Sequence, residues 1–222
     1  MSMKPPKKSD MGKTWMKPRR EFRQIISPEY HLIVTEGTET EPQYFQAIKE
    51  TIDAKYRDRI HLDVTGKGDN TISLFNRAVK DVAHSNNIYK HVWLVYDKDD
   101  FPREHFDKTA TLCENTSTEE THHHAIWSNQ CIELWFLLHF MFLQADLHRD
   151  EYWPKLTECL KARSLGTYYK NRPDMYKILR PFMDEAVRNA KKLEQINQGR
   201  TPSKSAPGTM AHYLIETLRP YL

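Results

Sequence analysis

HVWLVYDKDDFP, residues 91–102, joins a run of apolar and aromatic residues to three carboxylates within four positions. A near-continuous apolar run is typical of a strand that is buried on both faces of a parallel sheet. Carboxylates that pack side by side repel one another, so a cluster without a positive charge is unfavourable. The stretch therefore predicts a buried strand whose acidic end either extends into water or surrounds a cation.

The sequence on both sides alternates apolar runs with helical patterns, which predicts βαβ units and an α/β fold with a parallel sheet. Further strands are predicted at EYHLIVTEG (29–37), RIHLDVTGKG (59–68) and HHAIWSN (123–129). Helices are predicted at PQYFQAIKETIDAKY (42–56, with Thr40 as N-cap), from Asn70 or Thr71 to about Asn86, at about Arg103–Glu114, and at CIELWFLLHFMFL (131–143). The fold class expected is a parallel-sheet core that helices flank on both faces.

After residue 150 the patterns are helical only, at about 151–162, 174–196 and 207–218. NQGRTPSKSAPGT, residues 197–209, is rich in Gly, Pro and Ser and is predicted to be a mobile loop. Residues 1–26 lack apolar periodicity and are predicted to form a flexible basic tail. We expect three parts: the tail 1–26, an α/β domain 27–150, and a helical extension 151–222 packed on that domain.

The charge is distributed unevenly along the 222 residues, whose net charge is +3. Residues 1–24 contain eight Lys or Arg and two acidic residues, and residues 155–204 contain twelve and five, so the remainder is acidic. Basic segments around an acidic centre fit a polyanion that binds near a metal site. The alternative is that these lysines and arginines only solvate helix surfaces.

Several protein classes are disfavoured by composition. The longest apolar run, near residues 134–143, is too short to cross a bilayer, and the charged start has no apolar segment of a secretory signal. The three cysteines are far apart, which argues against a disulfide framework or a thiolate zinc site. We therefore expect a cytoplasmic protein that does not enter a membrane.

Acidic residues end two of the predicted strands. Glu36 follows the first, with Glu39 and Glu41 close behind, and Asp97 and Asp99 follow the third. Ligands of open parallel sheets bind beyond the carboxyl ends of the strands, and residues two apart in extended chain point to the same side. Hard carboxylate oxygens suit Mg²⁺ or Mn²⁺, so the cation predicted by the opening stretch is a divalent metal. The alternative is that these acids are solvated turn residues.

Three motifs in order, IVTEGTETEPQYF (33–45), VWLVYDKDDF (92–101) and SNQCIELWFLLHF (128–140), resemble the RloB family of bacterial phage-defence proteins, the AbiLii type. The resemblance covers roughly residues 28–218. It implies a Toprim-like α/β core with a helical C-terminal extension, in which Glu36 matches the Toprim glutamate and Asp97 and Asp99 match its metal-binding D-x-D pair. Gln130 and Ile132 replace the proline and phenylalanine of the family pattern, which we expect to alter only a turn.

The resemblance implies a Mg²⁺- or Mn²⁺-dependent nuclease effector of an abortive-infection system. The expected substrate is tRNA or other RNA, with DNA possible, and the expected partner is an ABC- or OLD-like ATPase that controls the toxic activity. A homodimer is possible. A non-catalytic sensor or partner-binding module is the main alternative, and a primase- or topoisomerase-like activity ranks last because the short chain shows no nucleophilic-tyrosine domain.

Individual roles follow from position and from the resemblance. Asp97 and Asp99 are expected to bind the metal, and Glu36 is either a third ligand or the general acid/base. Glu133 either completes the site or pairs with a buried base such as Lys191 or Lys192. The residues expected next to the site are Glu41, Asp100 and His139. Each has a structural alternative. Asp100 can equally cap a helix, the charge of Glu41 can equally stabilise a helix N-terminus, and His139 can equally be a core histidine.

Nucleic-acid contacts are expected from Lys67, Lys98, Lys170, Arg172, Lys191 and Lys192. Tyr168 and Tyr169 precede Lys170, so this segment either stacks bases or packs the helical extension. His122, His123 and His124 suggest zinc, but no Cys or acidic residue stands at ligand spacing. They are therefore predicted to be surface or core histidines, with His122 and His124 on one strand face and His123 on the other.

Overall fold

A single five-stranded sheet organises the computed structural model, which describes residues 27–66, 68, 70–99 and 102–222. The strands are β1 (Glu29–Thr35), β2 (Ile60–Gly66), β3 (Tyr89–Asp97), β4 (His122–Asn129) and β5 (Gly208–Thr209), in the spatial order β2-β1-β3-β4-β5. The first four strands are parallel and β5 is antiparallel to β4. The α/β fold class with a mostly parallel sheet is thus confirmed, and it is consistent with a Toprim-like core.

Helices cover both faces of the sheet. They are α1 (Thr40–Tyr56), α2 (Thr71–His84), α3 (Arg103–Thr116), α4 (Glu133–Leu138), α5 (Arg149–Lys161), α6 (Met175–Leu179), α7 (Met183–Ile196) and α8 (Ala211–Leu218). Short 3-10 turns occupy Arg180–Phe182, Pro202–Lys204 and Arg219–Tyr221. α2 begins at Thr71, one of the two predicted starts, and Asn70 is its N-cap, because its side chain accepts a hydrogen bond from the Ser73 amide at 3.1 Å. The prediction that Thr40 is the N-cap of α1 is wrong, because Thr40 is the first residue of that helix and Glu39 holds the N-cap position.

Alternate residues of the strands divide the core into two apolar clusters. In β1, Ile33 belongs to the cluster with α1 and the C-terminal helices, whereas Leu32 and Val34 belong to the cluster with α2 and α3. All three are almost fully buried. The run of consecutive apolar residues in the sequence therefore reflects burial on both faces of the sheet.

The chain order creates a crevice between β1 and β3. From β1 the chain crosses through α1 to β2 on one side, and then through α2 to β3 on the other side of β1. Neighbouring parallel strands whose connections leave in opposite directions form a crevice at their carboxyl ends, where open α/β sheets bind ligands. The acidic ends of β1 and β3 lie at this crevice.

The predicted buried helix over residues 131–143 is too long. α4 ends at Leu138, where the Leu138 carbonyl accepts a hydrogen bond from the Asn189 side chain of α7 at 2.8 Å. The segment beyond it stays apolar because Phe140 and Leu143 remain buried in the core without being helical. Apolar content thus indicated burial here, but it did not indicate helix length.

The predicted continuous helix over 174–196 is also wrong. Pro181 lies in a 3-10 turn that separates α6 from α7. Proline has no amide hydrogen and its ring clashes with the preceding helical turn, so a helix cannot continue through it undisturbed.

The segment 197–209, predicted to be a mobile loop, is held by hydrogen bonds. The Ser203 amide and hydroxyl both donate to Asp107 at 2.7 Å, and the Asn197 side chain donates to the Pro207 carbonyl at 2.8 Å. The segment ends in β5, where the Thr209 hydroxyl lies 2.9 Å from that of Ser128. The last helix consequently starts at Ala211 instead of residue 207.

The predicted division at residue 150 stays a prediction. Residues from both sides of it, including Trp135 and Leu156, belong to the same apolar cluster. The basic tail 1–26 lies outside the described residues. No helix among the described residues has the length and apolar character that crossing a membrane requires.

Candidate functional site

A cavity of about 520 Å³ opens at the carboxyl ends of β1 and β3. Six acidic residues line it: Glu36, Glu39, Glu41, Asp97, Asp99 and Glu133. The other lining residues are Gly37, Thr38, Thr40, Gly68, Asn70, Ile132, Arg149 and Lys170. The structure therefore brings together the carboxylates that the sequence predicted as a metal site.

Asp97 is the last residue of β3 and is only 9% exposed. Its Oδ2 accepts a hydrogen bond from the Ile132 amide at 3.2 Å, while its Oδ1 is buried with no hydrogen-bond partner among the described residues. Burial, together with the charges of Glu41 and Asp99, raises the pKa of Asp97 well above its usual range. A buried carboxylate oxygen without a donor is the atom that a metal ion would satisfy.

Glu36 follows β1 directly and is tied to the end of β3. Its backbone amide donates to the Val95 carbonyl at 2.9 Å, and its Oε2 accepts from the Asp97 amide at 3.1 Å. Burial raises the pKa of Glu36 to about 7, even though this hydrogen bond lowers it. Glu36 and Asp97 are thus fixed next to each other by backbone contacts across two adjacent strands.

Asp99 reaches the cavity by a route that differs from the prediction. Extended chain was expected to place Asp97 and Asp99 on the same side, but Asp99 stands in a turn with a positive φ of 39°. Its amide donates to the Gln130 carbonyl at 3.1 Å, and the Lys98 amide donates to Ser128 at 2.9 Å. The segment after β4 therefore holds the turn, and Asp99 Oδ1 lies 2.6 Å from Arg149 Nη1.

Glu133 is held by two donors from the segment after residue 148. Tyr168 hydroxyl donates to its Oε1 at 2.8 Å and the Trp153 indole donates to the same oxygen at 3.1 Å. The lysine pairing considered for Glu133 does not form: Lys191 Nζ donates to Glu216 Oε1 at 2.6 Å, and Lys192 Nζ lies 4.1 Å from the ring of Phe142. Glu133 instead lines the cavity, while the Tyr168 and Trp153 side chains hold its Oε1.

Glu41 stands in the first turn of α1 and is 7% exposed. Burial, with the charge of Glu133 adding to it, raises the pKa of Glu41. Its carboxylate lies against Gly37, where a Cβ atom would collide with it. Gly37 therefore gives the carboxylate the room it occupies in the cavity.

Other predicted site residues lie elsewhere or have structural contacts. Arg172 holds its own loop, because it bonds both oxygens of Asp174 and the carbonyls of Leu165 and Thr167. His139 is buried, with Nδ1 2.9 Å from the Trp135 carbonyl, and it does not line the cavity of the described residues. Lys98 Nζ donates to the Asp99 carbonyl at 3.2 Å. Lys67 and Asp100 lie outside the described residues.

The histidines of β4 behave as the alternation predicted. His122 and His124 both contact His91, whereas His123 contacts Phe75 on the other face. A separate group brings one atom each of Glu29, His31 and His91 within 4.8 Å of one another.

Two members of that group, His31 and Glu29, form a hydrogen-bond chain with Trp93. The Trp93 indole, which can only donate, contacts His31 Nδ1 at 3.2 Å. His31 Nε2 therefore carries the proton and donates it to Glu29 Oε1 at 2.8 Å, which leaves no lone pair on this ring for a metal.

Sequence reasoning missed Arg149 as a cavity residue and Trp153 as a hydrogen-bond donor to Glu133. Neither stands near the acidic motifs in the chain, and both lie in α5, whose first turn is fixed by a capping box of His148 and Glu151. The only sequence signal was the general excess of basic residues in the last third of the chain.

The fold and cavity define an α/β protein with a carboxylate-rich site at the carboxyl edge of a parallel sheet. The chain belongs to the RloB-like protein family, whose model matches residues 31–218, and the resemblance noted from the motifs is thus confirmed. The search of curated proteins gave no significant match, and neither did the search of solved structures.

Proposed function

We propose that this chain is a Toprim-type, Mg²⁺- or Mn²⁺-dependent nuclease effector of a bacterial anti-phage system, which hydrolyses phosphodiester bonds in tRNA or other RNA. The observation that carries the proposal is the buried, unpartnered Oδ1 of Asp97 among five further carboxylates of one cavity. Without a cation these carboxylates repel one another, and oxygen ligands of this kind suit small divalent metals. The motif resemblance to defence effectors supports the biological setting.

The chain's own residues divide the work as follows. Asp97 and Asp99 bind the metal, and Glu36 is either a third ligand or the general acid/base. In the metal-free cavity, burial raises the pKa of Glu36 to about 7. A bound divalent metal supplies activation of water and stabilisation of the leaving oxygen of a phosphodiester. Tyr168 and Trp153 hold the Glu133 carboxylate, which lines the same cavity.

Control by an ABC- or OLD-like ATPase is part of the proposal, because an unregulated nuclease of the host's RNA is toxic. The C-terminal helices or the basic tail 1–26 would bind this partner in the cytoplasm. A homodimer is compatible with the same scheme.

The test uses purified protein with tRNA and plasmid DNA, in Mg²⁺ and in EDTA, alone and with the activated ATPase partner. We expect Mg²⁺-dependent cleavage of RNA that falls by about a thousandfold in Asp97→Asn, because the interactions of the metal with charge in the transition state supply several kcal/mol. Asparagine retains an oxygen that can accept the Ile132 amide hydrogen, so this variant preserves the local fold.

Asp58→Asn is the matched control, since Asp58 is an exposed residue of the turn after α1. It should cleave like the wild type. Cleavage of DNA alone would assign the site to a DNA nuclease and overturn the RNA assignment. If wild type and Asp97→Asn leave all nucleic acid intact with the activated partner present, the site is sensory or structural and the enzymatic function is wrong.

A further inference from the structure

The cavity has a charge distribution that its carboxylates do not explain. Among the described lining residues, the cations are Arg149 and Lys170, and both belong to the segment after residue 148. The acidic residues all come from the part of the chain before residue 134. The two parts of the chain thus contribute opposite charges to one cavity.

Arg149 is fixed where it meets Asp99. It is the first residue of α5, whose N-terminus is held by the capping box of His148 and Glu151. Its Nη1 lies 2.6 Å from Asp99 Oδ1. Its side chain is 35% exposed, so it contacts both the carboxylate and the solvent. The charge of Asp99 raises the pKa of Arg149 although burial lowers it, and the guanidinium stays protonated.

Lys170 is positioned by its neighbours in the chain. Tyr168 on one side is anchored to Glu133, and Asn171 on the other side accepts a hydrogen bond from Thr40 at 2.9 Å and donates one to Glu39. Burial raises the pKa of Glu41, and the exposed Lys170 ammonium between these anchors lies close enough to oppose that rise.

The pair between Arg149 and Asp99 conflicts with the predicted role of Asp99. A divalent cation that takes the Asp99 carboxylate removes the partner of the guanidinium and repels it. The guanidinium then needs an anion at the mouth of the same cavity, and its fork of N–H donors matches the non-bridging oxygens of a phosphate.

We propose that Arg149 and Lys170 form the phosphate-binding side of this cavity. In the metal-free protein Asp99 pairs with Arg149, and a divalent metal that binds Asp99 releases Arg149 to bind the phosphate. The ligand is the phosphodiester of a nucleic acid, so the inference rests on the proposed function and names the residues that bind its substrate. Arg149 supplies paired donors to the phosphate, and Lys170 supplies a compact charge beside it.

The proposed role of Arg149 predicts that one variant changes two binding affinities in opposite directions. Arg149→Ala should bind Mn²⁺ more tightly than the wild type, by about threefold to tenfold, since the competing cation is gone. The same variant should bind a short 2′-O-methyl RNA oligonucleotide in Ca²⁺ about tenfold more weakly, since it has lost charge-assisted hydrogen bonds to phosphate. Titration calorimetry measures the first affinity and fluorescence anisotropy the second.

Controls separate charge, fork geometry and folding. Arg149→Lys keeps the charge without the planar fork, so it should retain wild-type Mn²⁺ affinity and only part of the oligonucleotide affinity. Arg188→Ala removes an exposed arginine that pairs with Glu185 on α7, outside the cavity, and should change neither affinity. Lys170→Ala should weaken oligonucleotide binding without tightening Mn²⁺ binding to the same degree.

The outcomes distinguish this inference from the nuclease function. If the wild type cleaves RNA but Arg149→Ala changes neither affinity, or weakens Mn²⁺ binding, the role of Arg149 is wrong and the nuclease function stands. If the wild type cleaves nothing but Arg149→Ala shows both shifts, the phosphate-binding role stands and the nuclease function is wrong.

Discussion

The acidic cavity makes a quantitative prediction about the metal-free protein, in which Glu36 should destabilise the fold as it ionises. Burial raises the pKa of Glu36 from 4.5 to about 7. A carboxyl group whose pKa is raised by folding gives stability that is retained below its unfolded pKa and lost as pH rises through the folded pKa. The wild type in EDTA should therefore lose stability between about pH 4.5 and pH 7.

The size of the effect follows from the same two values. The difference corresponds to a loss of about 3 kcal/mol in the free energy of unfolding once the pH exceeds 7. Glu36→Gln removes the ionisation but keeps an oxygen that can accept the Asp97 amide hydrogen. In EDTA at pH 8 the variant should thus be about 3 kcal/mol more stable than the wild type, and at pH 4.5 the two should be nearly equal.

Urea denaturation at several pH values, followed by circular dichroism, measures this difference. Glu50→Gln is the control, because Glu50 is exposed on α1 and should follow the wild type at every pH. Adding Mg²⁺ should stabilise the wild type more than Glu36→Gln, since binding to the folded state alone raises stability. A variant whose stability parallels the wild type across the pH range would refute the reasoning.

Two further substitutions test the elements that support the cavity. Asn70→Ala removes the N-cap of α2 and should lower the free energy of unfolding by about 1 kcal/mol, measured by urea denaturation. Asn70→Ser keeps a capping oxygen and adds no charge to the cavity, so it should retain most of that stability, and equal losses in both variants would contradict the capping role. Tyr168→Phe removes a hydrogen bond to the Glu133 carboxylate, so it should lower the free energy of unfolding by about 2 kcal/mol and weaken Mn²⁺ binding in calorimetry. Tyr169→Phe, at a residue that is 55% exposed, should change neither the stability nor the Mn²⁺ affinity. Unchanged Mn²⁺ affinity in Tyr168→Phe would show that Glu133 does not depend on this orientation.

The sheet and the acidic cluster were predictable from sequence because their signals are local. A strand buried on both faces must be apolar throughout, as Val92–Tyr96 is, and the acids that follow it must lie at the carboxyl edge of the sheet. The proximity of Glu36 and Asp97 could therefore be predicted without knowledge of any side-chain contact. The turn at Asp99 could not be predicted, because it is held by hydrogen bonds to the carbonyls of residues 128 and 130, which are distant in the sequence.

The C-terminal part was less predictable because tertiary contacts decide its structure. β5 has two residues, and its pairing to β4 depends on a contact between Ser128 and Thr209 that is 81 positions distant. The end of α4 likewise depends on Asn189. The break at Pro181 could have been predicted, because proline disfavours a continuous helix. The prediction missed it because the apolar residues on both sides of Pro181 follow a helical period.

The distribution of contacts argues that the segment after residue 148 is part of the site. Glu133 has its hydrogen-bond donors in Trp153 and Tyr168, and Asp99 has its ion pair with Arg149, so two of the carboxylates depend on residues after position 148. Because the same segment contributes both cations among the described lining residues, its position affects the charge that a metal ion or a phosphate meets there. A partner that displaced α5 by a short distance would remove Arg149 from Asp99 without moving β1 or β3. Regulation of the proposed nuclease would then need no change in the sheet that carries its carboxylates.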